Sequence, residues 1–96
     1  MHFNWDKRKA FLNERKHGVT FGEAASAFYD GFARVLDDPE HSFDEERFIL
    51  LGLSRSARLL VVCHCLRLGG EEIRIISARK ATRKEAAQYW RYRNEG

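Results

Sequence analysis

The chain predicts an α+β fold: an antiparallel sheet with two N-terminal helices on one face and a C-terminal helix. Three observations lead there. Strand-like apolar segments at Arg47 to Leu53, Arg58 to Leu66 and Ile73 to Arg79 follow one another across connections short enough to be hairpins. Thr20 with Glu23, and Thr82 with Glu85, are capping-box pairs that mark helix starts. Ninety-six residues, 44% hydrophobic and with seven Phe, three Tyr and two Trp, supply one core, so residues 1–96 read as a single domain.

Met1 to Trp5 alternates polar and apolar residues as a short strand does, and Asp6 can cap a helix running to about Lys16, with Gly18 as its left-handed stop. Phe21, Ala24, Ala25 and Phe28 recur at helical spacing, so the second helix buries that stripe and ends near Asp30-Gly31. Phe32 to Asp37 can form an edge strand before the turn-rich Asp38-Pro39-Glu40-His41-Ser42. Gly69-Gly70, as a two-residue turn, sets Arg67 opposite Glu72 and Cys65 opposite Arg74. Arg67 and Arg74 then share one side of the sheet with Cys63, Cys65 and Ile76. Thr82 to about Asn94 closes the chain as a helix carrying Ala86, Tyr89, Trp90 and Arg93 on one side. The helices are expected to cover one sheet face and leave the other available.

Charge is unevenly distributed. Residues 1–18 carry five Lys/Arg against two acids, residues 19–50 two against eight, and residues 51–96 ten against four, so both ends are basic and the middle is acidic. Such asymmetry suits a polyanion on one surface and a basic partner on another. No segment approaches the roughly 18 apolar residues that span a bilayer, and the N-terminus does not read as a signal peptide, so a cytoplasmic protein without membrane contact is expected. Cys63 and Cys65 lie on one face of a strand, as reduced core thiols do. His64 points the other way, and no cluster of ligating residues has metal spacing, so neither metal nor cofactor is expected.

The chemistry concentrates late in the chain. Arg74, Arg79, Lys80, Arg83 and Lys84 are carried by the last strand and the capped start of the last helix, where phosphates are favoured. Arg67 and Arg74 either grip phosphate through their forked donors or pair with Glu71 and Glu72. Arg79 and Arg47 stand at strand ends, Arg47 directly after Asp44-Glu45-Glu46, and both can be structural ion pairs. An arginine and a carboxylate meeting there also suit RNA cleavage by internal 2′-hydroxyl attack. That reaction needs a base for the hydroxyl, cations for a phosphorane-like transition state and a proton for the leaving 5′-oxygen. His17, between Lys16 and Gly18 at a helix end, reads as a cap for terminal carbonyls or as a functional imidazole.

Phe3-Asn4-Trp5-Asp6, Lys16-His17-Gly18-Val19-Thr20-Phe21, Glu23-Ala24-Ala25, Asp38-Pro39-Glu40-His41-Ser42, Glu45-Glu46-Arg47-Phe48, Gly52 and the run from Ile73 to Thr82, in this order, resemble the BrnT family of bacterial toxins. The specific part is Ile73-Arg74-Ile75-Ile76-Ser77-Ala78-Arg79 together with Trp5-Asp6 and Lys16-His17-Gly18. The resemblance implies a RelE-like toxin domain that cleaves RNA and halts translation and growth. It also implies a BrnA-like ribbon-helix-helix antitoxin, expected in a 2:2 heterotetramer, that neutralises the toxin and represses the shared operon. Operator DNA is then met only through the antitoxin. The matching polar positions are His17, Glu46, Arg47, Arg67, Arg74 and Arg79; family members often carry a Tyr-Thr pair where this chain has His64-Cys65.

On this reading the chain is a metal-independent endoribonuclease. Arg47, Arg67, Arg74 and Arg79 hold phosphate and stabilise transition-state charge, Glu46 is the candidate base and His17 the candidate acid. Lys80, Arg83 and Lys84 extend the RNA contact. Two other classes stay open: a non-catalytic RNA-binding module and a structural partner of a DNA-binding repressor. Both leave RNA intact, whereas an internally attacking nuclease leaves a 2′,3′-cyclic or 3′-phosphate end.

Overall fold

The computed structural model describes residues 1–38 and 46–95. In chain order the elements are β1 (His2–Asn4), α1 (Lys7–His17), α2 (Phe21–Ser26) running into a 3-10 turn (Ala27–Tyr29), β2 (Arg34–Asp37), β3 (Arg47–Leu53), β4 (Leu59–Arg67), β5 (Glu72–Lys80) and α3 (Arg83–Glu95). Most of Asp38-Pro39-Glu40-His41-Ser42, and residues 44 and 45 of the acidic run, lie outside the described residues.

Local chemistry sets the helix ends. The Asp6 carboxylate accepts the Lys9 amide at 3.0 Å, and Gly18, at φ +69°, ends α1 by donating its amide to the Glu14 carbonyl at 2.8 Å. Gly18 therefore makes the C-terminal cap of α1. Thr20 Oγ1 accepts the Glu23 amide at 3.0 Å, but Glu23 does not complete the reciprocal box. Its carboxylate is buried and taken by Arg58, by a contact to Nη2 and by Nε at 2.9 Å, and by Ser54 Oγ at 2.7 Å. A charge-assisted pair outcompetes a backbone amide there. Arg58 Nη2 also donates to the Gly18 carbonyl, so the β3–β4 turn is tied to the α1–α2 junction.

The five strands are ordered β1-β5-β4-β3-β2. The expected antiparallel sheet is corrected in one place: β1 runs parallel to β5, pairing His2 with Glu72, Phe3 with Ile73 and Asn4 with Arg74. The sheet is mixed. A three-residue strand pairing with a segment some 70 positions away carries no local signal of its direction, so alternation alone cannot reveal it. The β4–β5 hairpin has the register expected of Gly69-Gly70. Arg67 faces Glu72 and Cys65 faces Arg74, with both glycines at positive φ (66° and 93°), as a type I′ turn demands.

Further along, β5 departs from simple alternation. Cys63 pairs with Ser77 and His64 with Ile75, so Ile76 is an extra residue, a β-bulge. The expectation that Ile76 shares a face with Cys63, Cys65, Arg67 and Arg74 is therefore corrected, because Ser77 takes the place opposite Cys63. The bulge has a second consequence. Arg74 and Arg79 are five residues apart, and strict alternation would point them to opposite faces; the extra residue returns them to the same one.

Val19, Phe21, Ala24 and Ala27 pack with Leu50, Leu60, Val62, Ile75 and Ala78 to form the main core beneath α1 and α2. Gly52 is required here: a Cβ at that position would come within 2.9 Å of the Ala27 carbonyl and 3.2 Å of the Ala33 Cβ. The alternate residues Leu51 and Val61 form a second cluster with Tyr89 of α3, flanked by Ile49, Leu53 and Leu59. The expectation that the helices cover one face and leave the other available is thus corrected, since Tyr89 packs on the opposite side. Only the Leu51 and Val61 end of that face lies under α3, because Asp30 accepts the Tyr89 hydroxyl at 2.5 Å and holds the helix there.

Candidate active site

The pairing partners place the predicted arginines in rows on the face that α3 leaves partly open. One row reads Asn4, Arg74, Cys65, Arg47; the next Ser77, Cys63, Ile49, Leu36; the third Arg79, Val61, Leu51, Arg34. Val61 and Leu51 contact Tyr89, which fixes the side all three rows share. Arg47 and Arg74 flank the buried Cys65 from two neighbouring strands, a Cα separation of about 9 to 10 Å at ordinary strand spacing. Arg67 stands at the exposed end of the same face, opposite Glu72.

Between these rows and the end of α1 lies a concavity of about 260 Å³, lined by His17, Asp38, Cys63, Ser77 and Arg79 over a floor of Ile49 and Val61. Asn13 is what brings His17 there. Its Oδ1 accepts the Ala78 amide at 3.0 Å, and its Nδ2 donates to the Ala78 carbonyl at 2.8 Å and the Val19 carbonyl at 3.0 Å. The side-chain amide thus serves both backbone groups of Ala78 as a neighbouring strand would, in the part of β5 beyond the reach of β1. His17 is one helical turn after Asn13, so it arrives beside Ser77 and Arg79.

Arg79 is held by α3. Its Nη1 and Nη2 donate to the two Glu85 carboxylate oxygens at 2.8 and 2.9 Å, and Nη1 also reaches the Lys80 carbonyl at 3.2 Å. Glu85 simultaneously closes the capping box, accepting the Thr82 amide at 2.8 Å while Thr82 Oγ1 accepts the Glu85 amide at 3.2 Å. The Arg79 guanidinium holds the Glu85 carboxyl down to about 2, so the pair stays charged throughout the physiological range. A guanidinium has five N–H groups, and this arrangement leaves two of them for a ligand.

Arg74 donates to Asn4 Oδ1 at 3.0 Å, and the Asn4 amide contacts Glu72 in turn. Of the two readings of Arg74, pairing with Glu71 or Glu72 is replaced by an indirect link through Asn4. Glu46 is exposed and does not line the concavity. The carboxylate that does is Asp38, which is buried, with its amide bonded to the Arg47 carbonyl at 2.9 Å. Sequence reasoning missed Asp38 because its neighbours read as a turn. The signal available was its place at the end of a strand pairing with the one Arg47 opens. Cys63 Sγ lies 3.8 Å from Asp38 Oδ2, and burial, then Asp38, push its thiol up, so it stays protonated. Lys80, Arg83 and Lys84 are exposed around the start of α3. His64 faces the other core, 4.7 Å from the Phe28 ring, well separated in direction from both cysteines.

The family model of the ribonuclease toxin BrnT, of type II toxin–antitoxin systems, matches residues 5–85. The chain belongs to the BrnT family. It is a ribonuclease toxin of a type II toxin–antitoxin system, with RNA as substrate and an antitoxin as partner. Its fold is similar to the 1.1 Å crystal structure of the Brucella abortus ribonuclease toxin BrnT. The TM-score is 0.64 at 24% identity, covering 86% of this chain and 99% of that one. No curated protein matches the chain. The BrnT match includes His17, Asp38, Arg47, Arg67, Arg74 and Arg79, and ends at Glu85, the partner of Arg79.

Proposed function

We propose that this BrnT toxin is a metal-independent endoribonuclease that cuts by attack of a 2′-hydroxyl on the adjacent phosphate. The observation that carries this is the convergence of His17, Asp38 and Arg79 on one concavity in an arginine-bearing sheet face. Asp38 takes the role of base that the sequence suggested for Glu46 and accepts the 2′-hydroxyl proton. The O2′–P bond forms, the P–O5′ bond breaks, and His17 gives the leaving oxygen its proton, yielding a 2′,3′-cyclic phosphate and a 5′-hydroxyl. Arg79 and Arg47 stabilise the charge that develops on the phosphoryl oxygens, and Arg67 and Arg74 hold the strand in place. Lys80, Arg83 and Lys84 extend the basic rim. Among the described residues no group of three or more His, Cys, Asp or Glu side chains is placed to hold a metal ion.

The same reading takes residues 1–96 as one RelE-like toxin domain. Its partner is a BrnA-like ribbon-helix-helix antitoxin, in a 2:2 heterotetramer that buries the basic face and alone contacts operator DNA. The complex works in the cytoplasm, where its RNA is. Among the described residues no helix is long and apolar enough to cross a membrane. The test is to incubate purified, antitoxin-free protein with RNA, with and without EDTA. Cleavage is expected in both and is expected to stop when the antitoxin is added. Activity lost to chelation and restored by Mg²⁺ would overturn the mechanism, and a complex that still cut RNA at full rate would overturn occlusion by the antitoxin.

A further inference from the structure

Beyond Ile49 the concavity has a neighbour. Ile49 pairs with Leu36 of the edge strand β2. Leu36 and Arg34 form one wall of a second hollow, of about 460 Å³, whose other wall is α3 through Gln88, Arg91, Tyr92 and Glu95. Those four helix positions recur at i, i+3, i+4 and i+7 and make one stripe, with Lys84 one turn earlier on the same line. From Lys84 to Glu95 the stripe runs about 16 Å, at a rise of about 1.5 Å per residue. The hollow and the candidate active site therefore lie side by side on one sheet face, joined by the cross-strand pair Ile49 and Leu36.

Leu36 is 52% exposed and Tyr92 47%, and the Arg34 guanidinium lies 4.8 Å from the centroid of the Tyr92 ring. A ring overlaid by a guanidinium is a flat cationic platform. A nucleobase can stack on it while the charge meets a phosphate.

We propose that the groove between α3 and β2, with Tyr92 and Arg34 as its stacking platform, holds single-stranded RNA flanking the scissile phosphate. This rests on the cleavage reading above for the position of that phosphate. The occupant follows from three features: adjacency to the candidate active site across the Ile49 and Leu36 pair, two cations (Arg34 and Arg91) against one acid (Glu95) in the lining with Lys84 earlier on the same helix stripe, and the aromatic-arginine stack. A protein strand adding to the edge of β2 would use its backbone edge and Val35, whose side chain points to the opposite face. The α3 wall of the groove, Gln88, Arg91, Tyr92 and Glu95, lies beyond the residues matched by the family model.

The test compares a minimal oligonucleotide just long enough to be cut with the same sequence extended on both sides. Wild type is expected to show a KM about tenfold lower for the extended RNA at similar kcat, within the range base stacking on an aromatic side chain provides. Tyr92→Ala should lose that gain and Tyr92→Phe should keep it. An equal gain in wild type and Tyr92→Ala would overturn the groove. Binding of an extended oligonucleotide with a 2′-deoxynucleotide at the cut position separates this from the mechanism. Weaker binding by Tyr92→Ala supports the groove even if wild type cuts no RNA, and unchanged binding refutes it while leaving the cleavage mechanism intact. A Tyr92→Ala protein that binds RNA normally but has lost the antitoxin would assign the surface to the protein partner instead.

Discussion

In the proposed mechanism Arg79 serves two purposes through one guanidinium, and they can be separated. Its bidentate pair with Glu85 fixes the side chain against α3, in the lining of the concavity. Both partners are partly exposed, so the ion pair itself contributes little to stability, on the order of 1 kcal/mol or less. The transition-state contact is worth more. Arg79→Ala should lower cleavage by about 10²-fold or more while melting within a few degrees of wild type and still binding the antitoxin. Arg79→Lys, which offers a point charge without the fork, should fall between. Wild-type cleavage by a folded Arg79→Ala protein would remove Arg79 from the mechanism. His64 gives the opposite kind of prediction, about stability alone. Burial, at 2% exposure, lowers its imidazole below the ordinary 6.5, so the unfolded chain takes up a proton that the folded chain refuses. Its contribution is complete above about pH 6.5 and is lost as pH falls toward the lower folded value. Melting temperature should therefore decline between about pH 7 and 5, and His64→Phe should flatten that part of the profile; an unchanged slope would contradict it. At this scale the sequence marks Arg47, Arg67, Arg74, Arg79 and His17 by their charge or their place at element ends. It does not mark Asp38, whose burial depends on a sheet edge and neighbouring strands that turn chemistry alone does not reveal.

Among the elements, β5 organises the site, and its bulge was the feature least accessible to alternation. Ile73, Ile75 and Ile76 read correctly as strand, and the Gly69-Gly70 turn fixed the register at Arg67 and Arg74. One extra residue then reversed the parity for Ser77 and Arg79. Nothing local distinguishes a bulged isoleucine from a regular one, because the choice is settled by packing on both faces. The direction of β1 was hidden for a related reason, since its partner is remote. The helix caps at Asp6, Gly18, Thr20 and Thr82 were legible because they are satisfied within a few residues. The union of α1 with β5 depends on Asn13, which also carried no local signal. Asn13→Ala leaves buried backbone groups of Ala78 and Val19 unpaired and should cost about 2 kcal/mol or more. It should also lower kcat with little change in KM, well below its melting temperature, because His17 loses its placement while the RNA-binding arginines keep theirs. Asn13→Asp retains the acceptor for the Ala78 amide and should lie between. An Asn13→Ala toxin with wild-type kcat would show that α1 is positioned by other contacts.

For the whole molecule, the basic later part of the sequence, with Arg47, makes one sheet face basic. Arg47, Arg67, Arg74 and Arg79 come from three strands of that face, and Lys80, Arg83 and Lys84 from the adjoining start of α3. RNA affinity should therefore fall steeply with salt. Each phosphate contact adds about 0.7 to the log–log slope for a single strand, so replacing any one of the four arginines by Ala should reduce it by about that amount. A slope indifferent to these substitutions would place the RNA elsewhere. The fold class was legible because strand and helix periods, hairpin lengths and caps agreed with one another. The site was legible only in part, because it is assembled across strands by a bulge and by one buried amide. The most direct test is the chemistry of the ends made by antitoxin-free protein in EDTA on an RNA cut at a known position. A 2′,3′-cyclic phosphate and a 5′-hydroxyl are predicted, with no cleavage when the nucleotide at that position is 2′-deoxy. A 3′-hydroxyl with a 5′-phosphate, or undiminished cleavage of the deoxy substrate, would contradict internal attack.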